Sequence, residues 1–169
     1  MKNLTVISFC SILVLSAAVF PSCAAQAPAK RDEAPESDSG AVFKDIEGKE
    51  WQLSEIRNDG KTVIIDRKKY ETNYMGAFFT INFQDNSVSG TGAPNRYFGP
   101  CTPGSYNSLV IGNLASTMMA AFMEPEELKE GEYFGYLSNV RRWNFFDGKL
   151  ELYSTNNNDR EAILVFILK

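Results

Sequence analysis

From Trp51 to the C-terminus the chain alternates apolar and polar residues with a period of two, and that restricts it to an architecture of strands. Phe79, Ile81 and Phe83 fall on one side of an extended segment, and Thr80, Asn82 and Gln84 on the other. This is the alternation of a strand half-buried against a core. Trp51, Leu53 and Glu55 alternate more weakly with Gln52, Ser54 and Ile56. Asp59-Gly60 then turns the chain into a short β-branched strand over 62–66. Asp85-Asn86 joins the Phe79–Phe83 segment to a strand over 87–90, and residues 106–111 read as another, ended by Gly112. The runs 143–146 and 150–153 flank Asp147-Gly148. Asp-Gly at such a place is a strong hairpin signal, because both turn residues must accept positive φ. After a turn at 156–159, residues 162–168 form a nearly continuous apolar strand, one that is buried on both faces or closes a barrel.

One segment follows a different period. Glu124-Pro125-Glu126-Glu127 has the acids and early proline of a helix start. Phe134, Leu137 and Val140 follow at helical spacing, with Tyr133 and Tyr136 beside them, so the aromatic stripe is read as core. Gly131 and Gly135 weaken the helix without forbidding it. The fold class that results is mainly β: a small antiparallel barrel-like domain with one helix packed against it. Closing such a sheet removes exposed edges.

Composition closes several functional classes. Histidine is absent, so no serine–histidine or cysteine–histidine nucleophile pair and no imidazole metal ligand can form. With 17 basic and 21 acidic residues the chain carries a formal net charge of −4. Phosphate-backbone binding depends on lysine and arginine displacing counterions, so no nucleic-acid partner is expected. The basic clusters Arg67-Lys68-Lys69 and Arg141-Arg142 are read as solvated edges or element ends. No cofactor, metal site or catalytic constellation is legible. The carboxylates Asp66 and Asp85 are the candidates for an alternative reading as a carboxylate-based hydrolase.

The N-terminus speaks of location. Met1-Lys2 opens a short basic start, a mostly apolar run extends over 4–20, and Phe20-Pro21-Ser22-Cys23 ends it. The run is short against the roughly 20 residues of a spanning helix, and Ser8, Ser11 and Ser16 interrupt it. It has the layout of a secretory signal. An ordinary cleavage after Ala25 or Ala27 would satisfy it. Cleavage before Cys23 would too, and an apolar residue three places before a cysteine resembles the bacterial lipoprotein processing site. That resemblance implies an acylated Cys23 anchored in the membrane, facing an extracytoplasmic compartment of the bacterial envelope, with the outer membrane the expected one. Two or three acyl chains hold stably where one holds marginally. The division expected is a signal peptide over 1–22, a lipidated cysteine and flexible tether over 23–40, and a folded domain over 41–169. The tether carries no aromatic or large aliphatic residue and cannot offset the entropy of ordering. Of three cysteines, Cys10 leaves with the signal and Cys23 is acylated, so Cys101, in the turn-rich stretch 99–104, is expected to stay a passive thiol, free or at most bridged to another molecule.

Two linked motifs in the folded part resemble a known family. The stretch 88–99, containing Gly92, Asn95, Arg96, Tyr97, Phe98 and Gly99, looks like the hallmark of META/HslJ-like domains. Residues 114–120, containing Ala115, Ser116, Thr117 and Met119, look like their second signature at the expected distance. Trp51-Gln52-Leu53 resembles the opening strand of the family, so the resemblance covers about Lys49 to Leu168. Pro94 and Ala121 stand where typical members have cysteines. The resemblance implies a small β-rich barrel, often exported or lipid-anchored, in a family that includes a heat-shock-induced protein associated with novobiocin resistance. It carries no catalytic residues over. The expected function is that of a non-enzymatic factor in envelope stress or drug tolerance, or a binding module for an envelope protein or a small apolar ligand. The motif itself is read as a structural loop: its glycines permit tight or positive-φ backbone, Asn95 bonds nearby backbone, and Tyr97 and Phe98 anchor the loop by packing.

Overall fold

The computed structural model describes residues 41–70, 77–120, 124–156 and 158–169. The leader, Cys23, the tether and Ala121 lie outside the described residues. The strands are β1 (Trp51–Asn58), β2 (Lys61–Ile64), β3 (Thr80–Gln84), β4 (Ser87–Thr91), β5 (Arg96–Pro103), β6 (Leu109–Ile111), β7 (Ala115–Ser116), β8 (Arg142–Phe146), β9 (Lys149–Thr155) and β10 (Glu161–Leu168). One helix, α1 (Glu130–Ser138), lies between β7 and β8.

The strands pair antiparallel in the order β6-β5-β4-β3-β1-β10-β9-β8, with β2 added to β1 and β7 to β5. The two ends of this path meet. Ser108 bridges Arg142, the Leu109 N–H donates to the Arg141 carbonyl at 3.0 Å, and the Trp143 N–H donates to the Asn107 carbonyl at 2.9 Å. The sheet is thereby nearly closed into a barrel, as the alternating pattern predicts. The hairpin turns form where the sequence places them. Asp59 and Gly60 have φ of 50° and 71°, Asp85 and Asn86 of 49° and 59°, and Asp147 and Gly148 of 50° and 71°. Such mirror-image turns match the twist of the strands they join.

Inward-facing residues fill the barrel. Trp51, Leu53, Phe83 and Phe166 are almost wholly buried, and α1 adds Tyr133, Tyr136 and Leu137. A run of ring contacts crosses this interior: Tyr70 to Phe78 at 5.5 Å, Phe78 to Phe79 at 5.5 Å, Phe79 to Tyr133 at 4.9 Å, and Tyr133 to Tyr97 at 6.0 Å. Aromatic pairs at such separations add to the stabilisation given by burial alone.

Three expectations are corrected. The helix begins at Glu130, not Glu124, and Val140 lies beyond its end. Tyr70 explains the late start: its hydroxyl donates to Glu127 at 2.8 Å and accepts the Glu126 N–H at 3.0 Å. These bonds hold the acidic segment in a non-helical path, and Leu128 is buried within it. Next, residues 99–104, with two prolines and two glycines, form strand as far as Pro103 rather than a turn. Pro100 stands between the β5 residues paired with β7 and those paired with β6, so its missing N–H falls at a change of partner on that edge. Finally, Tyr106 and Asn107 are turn residues with φ of 55° and 56°, and the strand read from 106 begins only at Leu109.

Candidate functional site

The first motif runs from β4 through a short loop into β5, and its residues divide by which way they point. Asn95, 7 % exposed, is the centre of the loop. Its Oδ1 accepts the Met119 N–H at 2.6 Å and the Thr117 hydroxyl at 2.8 Å. Its Nδ2 donates to Glu130 Oε2 at 2.7 Å and to the Met119 carbonyl at 3.2 Å. Glu130 Oε1 in turn accepts the N–H groups of Ala93 at 2.6 Å and Asn95 at 2.7 Å. One amide side chain thus joins the first motif, the second motif and the first turn of α1. The second motif also runs beside the first as a strand: Ala115 pairs with Phe98 and Ser116 with Tyr97. The Thr117 N–H reaches the Arg96 carbonyl at 3.0 Å, and the Arg96 N–H reaches the Thr117 hydroxyl at 3.1 Å.

Tyr97 points inward. Its hydroxyl lies 2.8 Å from the Thr80 carbonyl oxygen and 3.2 Å from the Tyr133 hydroxyl, which itself lies 3.2 Å from the same carbonyl. Burial pushes both phenols above their ordinary pKa, so they are neutral hydrogen-bonding groups. The glycines of the motif serve close approach rather than positive φ, which is found instead at Gly48, Gly60 and Gly148. A Cβ at Gly90 would run into the Thr80 carbonyl. One at Gly92 would collide with the Glu130 carboxylate, and one at Gly99 would stand 2.8 Å from the Asn113 carbonyl oxygen.

Arg96 and Phe98 point outward. The expectation that Phe98 anchors the loop by packing is corrected: its ring is 66 % exposed, because it occupies the solvent side of β5. The Arg96 guanidinium has no hydrogen bond or ion pair among the described residues. The two side chains lie along a cleft of about 450 Å³ on the outer surface of β3, β4 and β5. Glu50, Asn82, Ser89 and Thr91 line it as well. Glu50 is bound by Lys169 Nζ at 2.9 Å. Of the second motif, Ala115, Ser116, Thr117 and Met119 are all exposed.

Other groups singled out in the sequence sit elsewhere. Asp66 and Asp85 are exposed, and no carboxylate is buried among the described residues. Nor do those residues include a group of three or more acids and cysteines placed to hold a metal. Cys101 is a free, buried thiol, and its burial, helped by the charge of Glu47, pushes its pKa up to about 11. Glu126, itself exposed, pairs with Lys69 at 2.7 Å. Arg67, expected at a solvated edge, instead donates to the carbonyls of Leu53 at 2.8 Å, Phe78 at 2.9 Å and Phe79 at 3.3 Å. Its guanidinium lies 4.7 Å from the Phe78 ring. Glu130 and Arg67 are the residues sequence reasoning missed. An acid at the true helix start was a signal for Glu130, whereas nothing in the sequence marks Arg67 out from Lys68 and Lys69.

Comparison with known proteins bears on the same region. The family model of the META domain matches residues 44–166. Among solved structures, a protein from Burkholderia xenovorans is similar over 85 % of this chain and 97 % of its own, with a TM-score of 0.58 and 22 % identity. A DUF4847 family protein from Bacteroides vulgatus covers 75 % of this chain and 96 % of its own, with a TM-score of 0.48 and 13 % identity. No curated protein matches in sequence.

Proposed function

The chain belongs to the META domain family, and we propose that it is a non-enzymatic binding module of the bacterial envelope, lipid-anchored through Cys23 and acting in stress or drug tolerance. The observation that carries the binding reading is the contrast between an interior lined with large buried side chains and an outward pair, Arg96 and Phe98, whose side chains have no hydrogen bond, ion pair or ring contact among the described residues. With large side chains occupying the interior, a ligand is met at the outer surface. This argues against a small apolar ligand held inside the barrel. The hydrolase reading needs paired, buried carboxylates with shifted pKa, and exposed Asp66 and Asp85 do not supply them. Anchoring rests on the sequence alone, from the cysteine at the end of the apolar run.

Two measurements test the proposal. Metabolic labelling with a fatty acid should mark the protein, and Cys23→Ser should release it to the soluble fraction. An unlabelled protein beginning at Gln26 or Pro28 would overturn the anchor. In a deletion strain challenged with envelope stress, Arg96→Ala should fail to restore tolerance while its protein level stays normal. Full restoration by that variant would overturn the outer surface as the working one.

A further inference from the structure

We infer that the outer cleft over β3, β4 and β5 binds a glycan chain bearing carboxylate groups, with Phe98 as the platform for a sugar ring and Arg96 as the partner of a carboxylate. The inference rests on the binding-module reading above and names the ligand class of that surface. It starts from the side chains the cleft presents. Phe98 is the large apolar group that stands proud of it, 66 % exposed, and an isolated ring among polar groups suits a flat ligand with both an apolar face and hydroxyl edges. Asn82, Ser89 and Thr91 surround it. Hydroxyls and an amide offer donors and acceptors together, which fits a hydroxyl-rich ligand better than an apolar one.

Charge decides the rest. Glu50, which lines the cleft, is paired with Lys169 at 2.9 Å, whereas Arg96 has no ion pair among the described residues. Among the described residues the cleft therefore carries one unpaired positive charge, on a chain whose formal net charge is −4. A guanidinium presents a planar fork that fits a carboxylate with two parallel bonds. Arg96 and Phe98 are two residues apart on one face of β5, so their attachment points are about 7 Å apart. A carboxylate on one sugar can thus reach Arg96 while the ring of its neighbour lies on Phe98. An extended peptide is the weaker candidate. Strand addition needs a free edge, and here β5 is paired with β4 on one side and with β7 or β6 on the other.

The test uses the full chain purified in detergent, with polygalacturonate as the probe. Dextran supplies sugar without charge, and polyglutamate supplies carboxylates without sugar. The protein should bind polygalacturonate at least about tenfold more tightly than either comparator. Arg96→Ala and Phe98→Ala should each weaken that binding about tenfold or more, with unchanged melting temperatures. Arg142→Ala, which removes a cation stacked 4.5 Å from the Tyr153 ring, should bind as the unaltered protein does. Equal affinity for polyglutamate, undiminished binding by Phe98→Ala, or no binding of polygalacturonate would each overturn the glycan assignment. If polygalacturonate is not bound while Arg96→Ala still loses stress tolerance, the glycan class fails and the binding module stands. If Arg96→Ala keeps both tolerance and binding, both readings fail.

Discussion

Along β5 the two sides of one strand have opposite environments. Tyr97, Gly99 and Cys101 face a packed interior, while Arg96, Phe98 and Pro100 face solvent. The loop before the strand belongs with the inner side, because Asn95 and Glu130 tie it to α1 and to the second motif. Neighbouring residues of a single motif therefore do different physical work. Asn95 and Tyr97 are spent on holding the corner, and Arg96 and Phe98 are left over by it. A motif read as one unit hides this division, which only the pleat of the strand shows.

Substitutions on the two sides should differ most at the interior. Tyr133→Ala removes a ring in contact with Phe79 and Tyr97 together with a buried hydroxyl. It should cost about 3–5 kcal/mol in denaturant unfolding, as losses of buried aromatics do. A cost under about 1 kcal/mol would show that α1 is not integral to the barrel. Glu130→Gln comes next. The carboxylate accepts three N–H bonds across its two oxygens, and an amide must set a donor against one of them. A loss of about 1–3 kcal/mol is expected in the same measurement.

The thiol of Cys101 gives a smaller, pH-dependent effect. Its pKa is raised in the folded protein from the ordinary 9.0 to about 11, so above pH 9 the unfolded chain sheds a proton that the folded one keeps. The stabilising contribution is complete below pH 9 and is lost as pH rises through 11. Unfolding midpoints at about pH 8 and about pH 10.5 should fall further for the unaltered protein than for Cys101→Ala. Parallel falls would mean the thiol is not desolvated. Smallest of all is Phe98→Ala, expected within about 0.5 kcal/mol of the unaltered protein. A loss of several kcal/mol would place the ring in the core and erase the division along β5.

How much of this was legible follows from how local each cause is. The hairpins at Asp59-Gly60, Asp85-Asn86 and Asp147-Gly148 were readable because the turn residues themselves carry the signal. The Phe79–Ile81–Phe83 face was readable from its alternation. β5 was not, since Pro100 and Pro103 suggest a turn, although Tyr97, Gly99 and Cys101 keep the period of two. The helix start was misplaced because Tyr70, more than fifty residues away in sequence, holds Glu126 and Glu127 out of the helix. The reading of the motif from its residue types treated Phe98 as packing, whereas it is exposed. Strand phase, not residue type, decides that, and the phase was hidden once β5 was read as a loop.

The central claim, that adjacent residues of the motif divide into fold and exposed surface, is tested most directly by one paired measurement. Unfolding midpoints should be determined for Asn95→Ala and Arg96→Ala side by side. Asn95→Ala strands the Met119 N–H and removes a partner of Glu130, and should lose about 2–4 kcal/mol. Arg96→Ala should stay within about 0.5 kcal/mol of the unaltered protein. Equal losses, or a larger loss at Arg96, would contradict the account.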